Sequence, residues 1–144
     1  MRRSDLLTQA CDPKTLTVGH VMQDAVFTCS AKTDALTIGR LMSKQNFGSL
    51  PVLEEDGAVV GLVSEYDLLQ AMIDGRDLRK ITAEEIMTTH PKTATEMMTL
   101  TEAANVFQDR YLTRLPVVRE RKLVGIVARR DLLRGYMKAT DYFS

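Results

Sequence analysis

The chain of 144 residues can bury one domain-sized core, and at 44% hydrophobic content its 19 Lys and Arg balance 19 Asp and Glu. A neutral chain with a pI of about 6.7 offers no bulk polycation for nucleic acid or an anionic membrane. No run approaches the ~18 apolar residues of a membrane span, and Met1-Arg2-Arg3 leads into Ser4-Asp5 rather than an apolar signal core, so a cytoplasmic location without membrane association is expected.

Residues 1–17, with Leu6, Leu7, Pro13 and Leu16, suit a short helix or an arm that packs on a partner. Val21-Met22 then opens a lead-in segment with Thr28. Ala35, Ile38, Gly39 and Met42 carry the i, i+3, i+4, i+7 spacing of an amphipathic helix, with Thr33 as its expected N-cap. Leu50-Pro51-Val52-Leu53 and Val59-Val60-Gly61-Leu62-Val63 read as two strands of a hairpin, followed by a helix from Asp67 onward. Polar residues Asp74 to Lys80 form a linker, ahead of Thr82 and Glu85 as a possible capping pair before Ile86-Met87.

The same series then returns. Leu115-Pro116-Val117-Val118 and Leu123-Val124-Gly125-Ile126-Val127 repeat the hairpin, Leu100, Ala103, Ala104 and Phe107 repeat the helix, and Thr99 with Glu102 forms a capping box. Pro116 follows Pro51 by 65 residues and Asp131 follows Asp67 by 64, so the copies differ by one residue in the hairpin loop, where insertions are tolerated. The chain is a tandem duplication. Each copy alone would be marginal, so the halves are expected to pack together.

Charge separates the copies. From Arg110 to Arg134 eight basic residues stand against two acidic ones. Cys11 and Cys29 are too few for a disulfide framework, and His20 and His90 lack zinc-ligand spacing with them, which leaves the histidines as polar positions near strand or helix ends.

Twin blocks of the form Leu-Pro-Val-x, loop, Val-Gly-x-Val-x-x-x-Asp-Leu-Leu resemble the tandem CBS domains named after cystathionine β-synthase, which pair into a Bateman module. The resemblance covers residues 18 to 137. It implies an α/β fold of the α+β kind, with two pseudo-twofold-related β-α-β-β-α units: 1–17 as an arm, 18–73 as the first CBS domain, 74–82 as linker, 83–138 as the second domain, and 139–144 as a tail that docks or frays.

The resemblance further implies clefts between the two domains that hold AMP, ADP or ATP, with S-adenosylmethionine and dinucleotides such as NAD behind them. Carried across residue by residue, Asp67 with Ser64, and Asp131, would bind ribose, since a carboxylate accepts from both hydroxyls of a cis-diol. Ala128 replaces the hydroxyl residue in the second copy. Arg114, Arg129 and Arg130 would meet phosphate; Ser49, Glu65 and Tyr66 stand at their counterparts, so the clefts should be unequal. The adenine would lie against Met22, Phe27, Phe47, Gly48 and Ser49, a set expected to face Asp131, and against Met87, Leu112 and Thr113, expected to face Asp67.

Ser64 and Asp67 also fit a plain helix cap, and the arginines a solvated surface or a dimer contact. With no P-loop, Gly-x-Ser-x-Gly or His-Glu-x-x-His motif, a non-enzymatic role is expected: an adenine-nucleotide-sensing regulator, homodimeric, acting on a separate protein or its own oligomer. The alternatives are a ligand-free dimerisation scaffold and, more remotely, a nucleic-acid binder through the basic stretch.

Overall fold

The computed structural model describes residues 13–108 and 112–143. Most of the expected arm, with Cys11, therefore lies outside the described residues, as do Arg110 of the basic stretch and Ser144 of the tail.

After a 3-10 turn at Pro13–Thr15 the first copy runs through α1 (Val18–Val21), β1 (Cys29–Ser30), α2 (Ala35–Gln45), β2 (Ser49–Leu53), β3 (Val59–Ser64) and α3 (Glu65–Ile73). The second runs through α4 (Ala83–Ile86), β4 (Thr88–Thr89), α5 (Leu100–Val106), β5 (Arg114–Arg119), β6 (Lys122–Ala128) and α6 (Arg129–Phe143). This is the mixed helix and strand fold expected from the duplication.

Local chemistry sets the helix ends. The cap of α2 is Asp34 rather than Thr33: its carboxylate accepts from the Thr37 backbone at 2.9 Å and from the Thr37 hydroxyl at 2.7 Å, while Thr33 Oγ1 accepts the Ser30 N–H and closes the preceding turn. An ionised acceptor at a helix N-terminus also meets the positive end of the dipole. These hydrogen bonds hold the Asp34 carboxyl below its ordinary pKa. Asn46 ends α2 with φ 57, the left-handed conformation that asparagine tolerates. Thr99 and Glu102 form the full capping box of α5. The helices after each hairpin begin at Glu65 and Arg129, two residues before the expected aspartates, because each aspartate reaches back to cap.

The backbone groups into two compact units that cross the repeats. One unit comprises Phe27–Pro91 with Arg121–Leu123. Its four strands lie in the order β1-β2-β3-β4, with β1 parallel to β2 and the β2–β3 and β3–β4 pairs antiparallel. Ile38, Leu50, Val52 and Val63 are fully buried in its core, where truncation to alanine costs about 2–5 kcal/mol. The linker is tied to α2 here, since the Ala35 and Leu36 N–H groups donate to the Ile81 and Leu78 carbonyls at 2.8 and 3.0 Å.

Among the described residues the other unit comprises 13–26, 92–108, 112–120 and 124–143. Its core holds Leu16, Val18, Leu115, Val117 and Val127. Ala139 is fully buried in that core, so the tail continues α6 instead of leaving it.

The duplication extends to individual hydrogen bonds. The parallel bridge Ala94↔Val117 repeats Cys29↔Val52, and Gln23↔Ile126 repeats Thr88↔Leu62. Likewise the Val18 and Ala83 N–H groups donate to Met98 and Thr33 carbonyls at 2.8 Å each. Each unit thus joins the hairpin of one copy to the lead-in segment of the other.

Candidate functional site

Each unit brings its lead-in segment onto the strand before its capping aspartate. In the unit containing Asp131, the antiparallel bridge of Gln23 to Ile126 carries two backbone bonds of 2.8 Å. The short helix α1 sets that segment's angle: its Met22 N–H bonds to Val18 O at 2.8 Å, and Thr17 donates its N–H to His20 Nδ1 at 3.0 Å. Met22 is buried over Gly125, and the following Gln23 side chain reaches Asp131.

Asp131 is one of two buried polar residues of the described core, with 7% of its surface exposed. Its Oδ2 accepts the Ala128 N–H at 2.8 Å, which caps α6 without a hydroxyl at 128, and Gln23 Nε2 donates to Oδ1 and Oδ2 at 3.3 and 3.4 Å. Arg114, half-buried at the start of β5, is electrostatically coupled to this carboxylate. Burial pulls the guanidinium's pKa below its ordinary value, and the charge of Asp131 opposes that shift. A carboxylate, a carboxamide and a guanidinium therefore converge at the mouth of α6. That set can accept from hydroxyls and donate to an anion.

The counterpart in the other unit is built differently. Asp67 Oδ2 accepts the Ser64 N–H at 2.7 Å and the Ser64 hydroxyl at 3.1 Å, and Asp67 N–H donates to Ser64 Oγ at 3.3 Å, a complete capping box. The cleft beside Asp67 is lined by Asp74, Glu85 and Ile86, with Arg76 held on Glu85 at 3.1 Å. Its charge is mainly acidic. No arginine stands at the place of Arg114, where buried Ser49 pairs across the hairpin with Ser64.

The remaining expected residues divide by unit. Met22, Leu112, Thr113 and Arg114 share a unit with Asp131; Met87, Phe27, Phe47, Gly48 and Ser49 share one with Asp67. The two methionines share a unit with the aspartate of the opposite copy, and Gly48 and Ser49 are tied by chain to the hairpin that carries Asp67. The Gly48 carbonyl accepts the Glu65 N–H at 3.0 Å, and Phe27 stacks on Phe47 with ring centroids 5.8 Å apart. Arg129 and Arg130 are exposed on α6, and the Arg129 guanidinium lies 6.0 Å from the Phe107 ring centroid. Gln23 was not among the expected residues. Its position next to Met22 on a segment that crosses to the other copy is the signal that points to it.

Comparison with known proteins supplies relatives. The CBS domain family model matches residues 18–74 and 83–138. The CBS domain-containing protein YhcV of Bacillus subtilis is 32% identical over 116 residues, covering 80% of this chain and 81% of its own. The crystal structure of CBSX2 of Arabidopsis thaliana in complex with AMP matches with a TM-score of 0.75 at 27% identity, covering 87% of this chain and 98% of that one. The CBS domain pair of protein MJ0100 in complex with 5-methylthioadenosine and S-adenosyl-L-methionine matches with a TM-score of 0.74 at 27% identity, over 83% of this chain and 94% of that one. The chain spans 67% of the length of one curated relative and 29% of another. With two ordered matches that take in most of its residues, the chain belongs to the CBS-domain family.

Proposed function

We propose that the chain is a regulatory module that binds an adenine nucleotide at Asp131 and passes occupancy on through its own self-association or to a separate protein. The observation that carries this is the convergence of buried Asp131 with Arg114 and Gln23. The carboxylate suits a ribose diol and the guanidinium suits a phosphate. The complexes of CBSX2 with AMP and of the MJ0100 pair with two adenosine derivatives support an adenosine-containing ligand. The acidic surroundings of Asp67 disfavour a phosphate there, so the arginine-bearing site is assigned the nucleotide.

Self-association rests on exposed apolar helix faces. On these helices Leu68 and Leu132 face the cores, because they lie on the inner side of the helical period, whereas Met72 and Met137 are exposed. A second reading, a ligand-free scaffold, is favoured at Asp67 by the complete Ser64–Asp67 box, which accounts for that residue structurally.

A thermal-shift panel of AMP, ADP, ATP, NAD and S-adenosylmethionine tests the proposal. A ligand at a hundredfold excess over its dissociation constant should raise the melting temperature by about 5–10 °C. No shift at millimolar concentration for protein shown to be nucleotide-free would favour the scaffold.

A further inference from the structure

Gln23 takes up acceptors that a ribose diol would need. Its Nε2 lies across both oxygens of Asp131, 3.3 Å from Oδ1 and 3.4 Å from Oδ2, and the Ala128 N–H already holds Oδ2 at 2.8 Å. A carboxylate offers about four lone-pair sites, shared evenly by its oxygens. Oδ2 is thereby filled, and Oδ1 keeps one site for a further donor. A single hydroxyl can join that arrangement, whereas a pair of them requires the amide to leave. Both of its contacts are long for N–H···O bonds, and Gln23 is exposed, so water can receive the amide. Asp131 itself is buried and fixed by its cap. In the other unit Thr88 stands at the place of Gln23, pairing with Leu62 as Gln23 pairs with Ile126, and Asp67 takes its second donor from the Ser64 hydroxyl at 3.1 Å. A threonine has no amide to set across a carboxylate.

We propose that Gln23 sets how strongly the Asp131 site distinguishes ribose from deoxyribose, by competing with one hydroxyl of the diol for the carboxylate. This rests on the nucleotide reading above and gives a specificity role to a residue outside the expected contacts. With glutamine at 23 the second hydroxyl gains its acceptor by displacing an amide donor, an exchange of one hydrogen bond for another that returns little. A ribonucleotide and its 2′-deoxy counterpart therefore bind alike. Without the amide the second hydroxyl displaces water alone, and charge-assisted bonds hold the diol at both oxygens. The Gln23 backbone N–H and carbonyl each pair with Ile126 at 2.8 Å, so changing the side chain leaves the lead-in segment in place.

Calorimetry of AMP and 2′-deoxy-AMP on the parent, Gln23→Ala and Gln23→Met provides the test. Methionine keeps the length of glutamine and has no donor. The parent should bind the two nucleotides within about threefold of one another. Each variant should favour AMP by about tenfold, through tighter AMP binding with 2′-deoxy-AMP little changed. A melting curve without nucleotide identifies a variant that misfolds, and the parent alone still decides: a preference for AMP of about tenfold in the parent would overturn the proposal. An affinity ratio that does not move in the variants would overturn it as well. Equal weakening of both nucleotides would do the same, making Gln23 a positioning residue for Asp131, and a rise with alanine alone would assign the effect to bulk instead of the donor. A parent that binds neither nucleotide would overturn the nucleotide reading and this inference with it, a result distinct from a ratio that stays fixed.

Discussion

The thioether of Met87 lies directly on the backbone of Gly61, where a Cβ would stand 2.2 Å from its sulfur. The duplication repeats the contact between Met22 and Gly125, at 2.6 Å. Both glycines sit in the second strand of a hairpin, and both methionines come from the lead-in segment of the other copy. The bare glycine surface lets that segment approach closely enough to hydrogen-bond the strand. The two sites differ in one respect: at Gly125 the Gln23 carbonyl would also stand 2.8 Å from the new atom, whereas at Gly61 the nearest carbonyl, that of Thr88, is at 3.1 Å.

Gly61→Ala and Gly125→Ala should therefore each destabilise the protein by about 1–3 kcal/mol, with Gly125→Ala the more costly. A flexible side chain blocks the first site, and backbone shares the block at the second. Met87→Ala should accordingly recover part of the loss in Gly61→Ala, while Met22→Ala should recover little in Gly125→Ala. Denaturant unfolding of the four single and double variants decides, and equal rescue at both sites would contradict this account.

The duplication was legible because paired strands need Pro51 and Pro116, Gly61 and Gly125, and Asp67 and Asp131 at fixed distances along the chain, and those distances stand in the sequence. The crossing of the lead-in segments was not legible from residue pattern. Met22 and Met87 look like core residues of their own copies, and only the family resemblance suggested that they belong elsewhere. Gln23 was missed for the same reason: its partner Asp131 is 108 residues away, and a glutamine at a strand edge carries no local signal. The cap of α2 was misplaced by one residue because Thr33 and Asp34 are both good caps, and the choice is made by the turn to Ser30.

Cys29 should be a slow nucleophile. Burial raises its pKa from 9.0 to about 11, since the thiolate is the form that loses solvation. In a Cys11→Ser background, alkylation by iodoacetamide at pH 8 should run about ten- to a hundredfold slower than in the unfolded chain. The folded state holds the thiol proton more tightly than the unfolded state. Its contribution to stability is therefore complete below about pH 9 and is lost as pH rises toward 11. A native alkylation rate equal to the denatured rate would refute the assignment.

Asp131→Asn should separate binding from folding. The asparagine carbonyl can still accept the Ala128 N–H, so the cap survives and the melting temperature should change little. Nucleotide affinity should fall by about 1.5–3 kcal/mol, the scale of a hydrogen bond to a charged group. Asp131→Ala removes the cap as well and should cost about 1 kcal/mol of stability or more. If Asp131→Asn binds nucleotide as tightly as the parent, the carboxylate is a cap and nothing else.

Arg114 should account for the preference for phosphate. The charge of Asp131 acts on its guanidinium, and the Arg129 guanidinium lies 6.0 Å from the Phe107 ring centroid. Affinity should rise from adenosine to AMP, and Arg114→Ala should remove most of that rise, about 1.5–3 kcal/mol for one charge-assisted contact, while leaving adenosine binding little changed. Calorimetry of both ligands on both proteins completes a cycle that isolates the coupling of side chain to phosphate from any general loosening of the site. Removing a guanidinium that burial already disfavours leaves Asp131 its Ala128 and Gln23 donors, so the fold should tolerate the substitution. A coupling below about 0.5 kcal/mol, within the ordinary error of additivity, would release Arg114 from that role and make Arg130, two positions after Ala128 at the start of α6, the next residue to substitute.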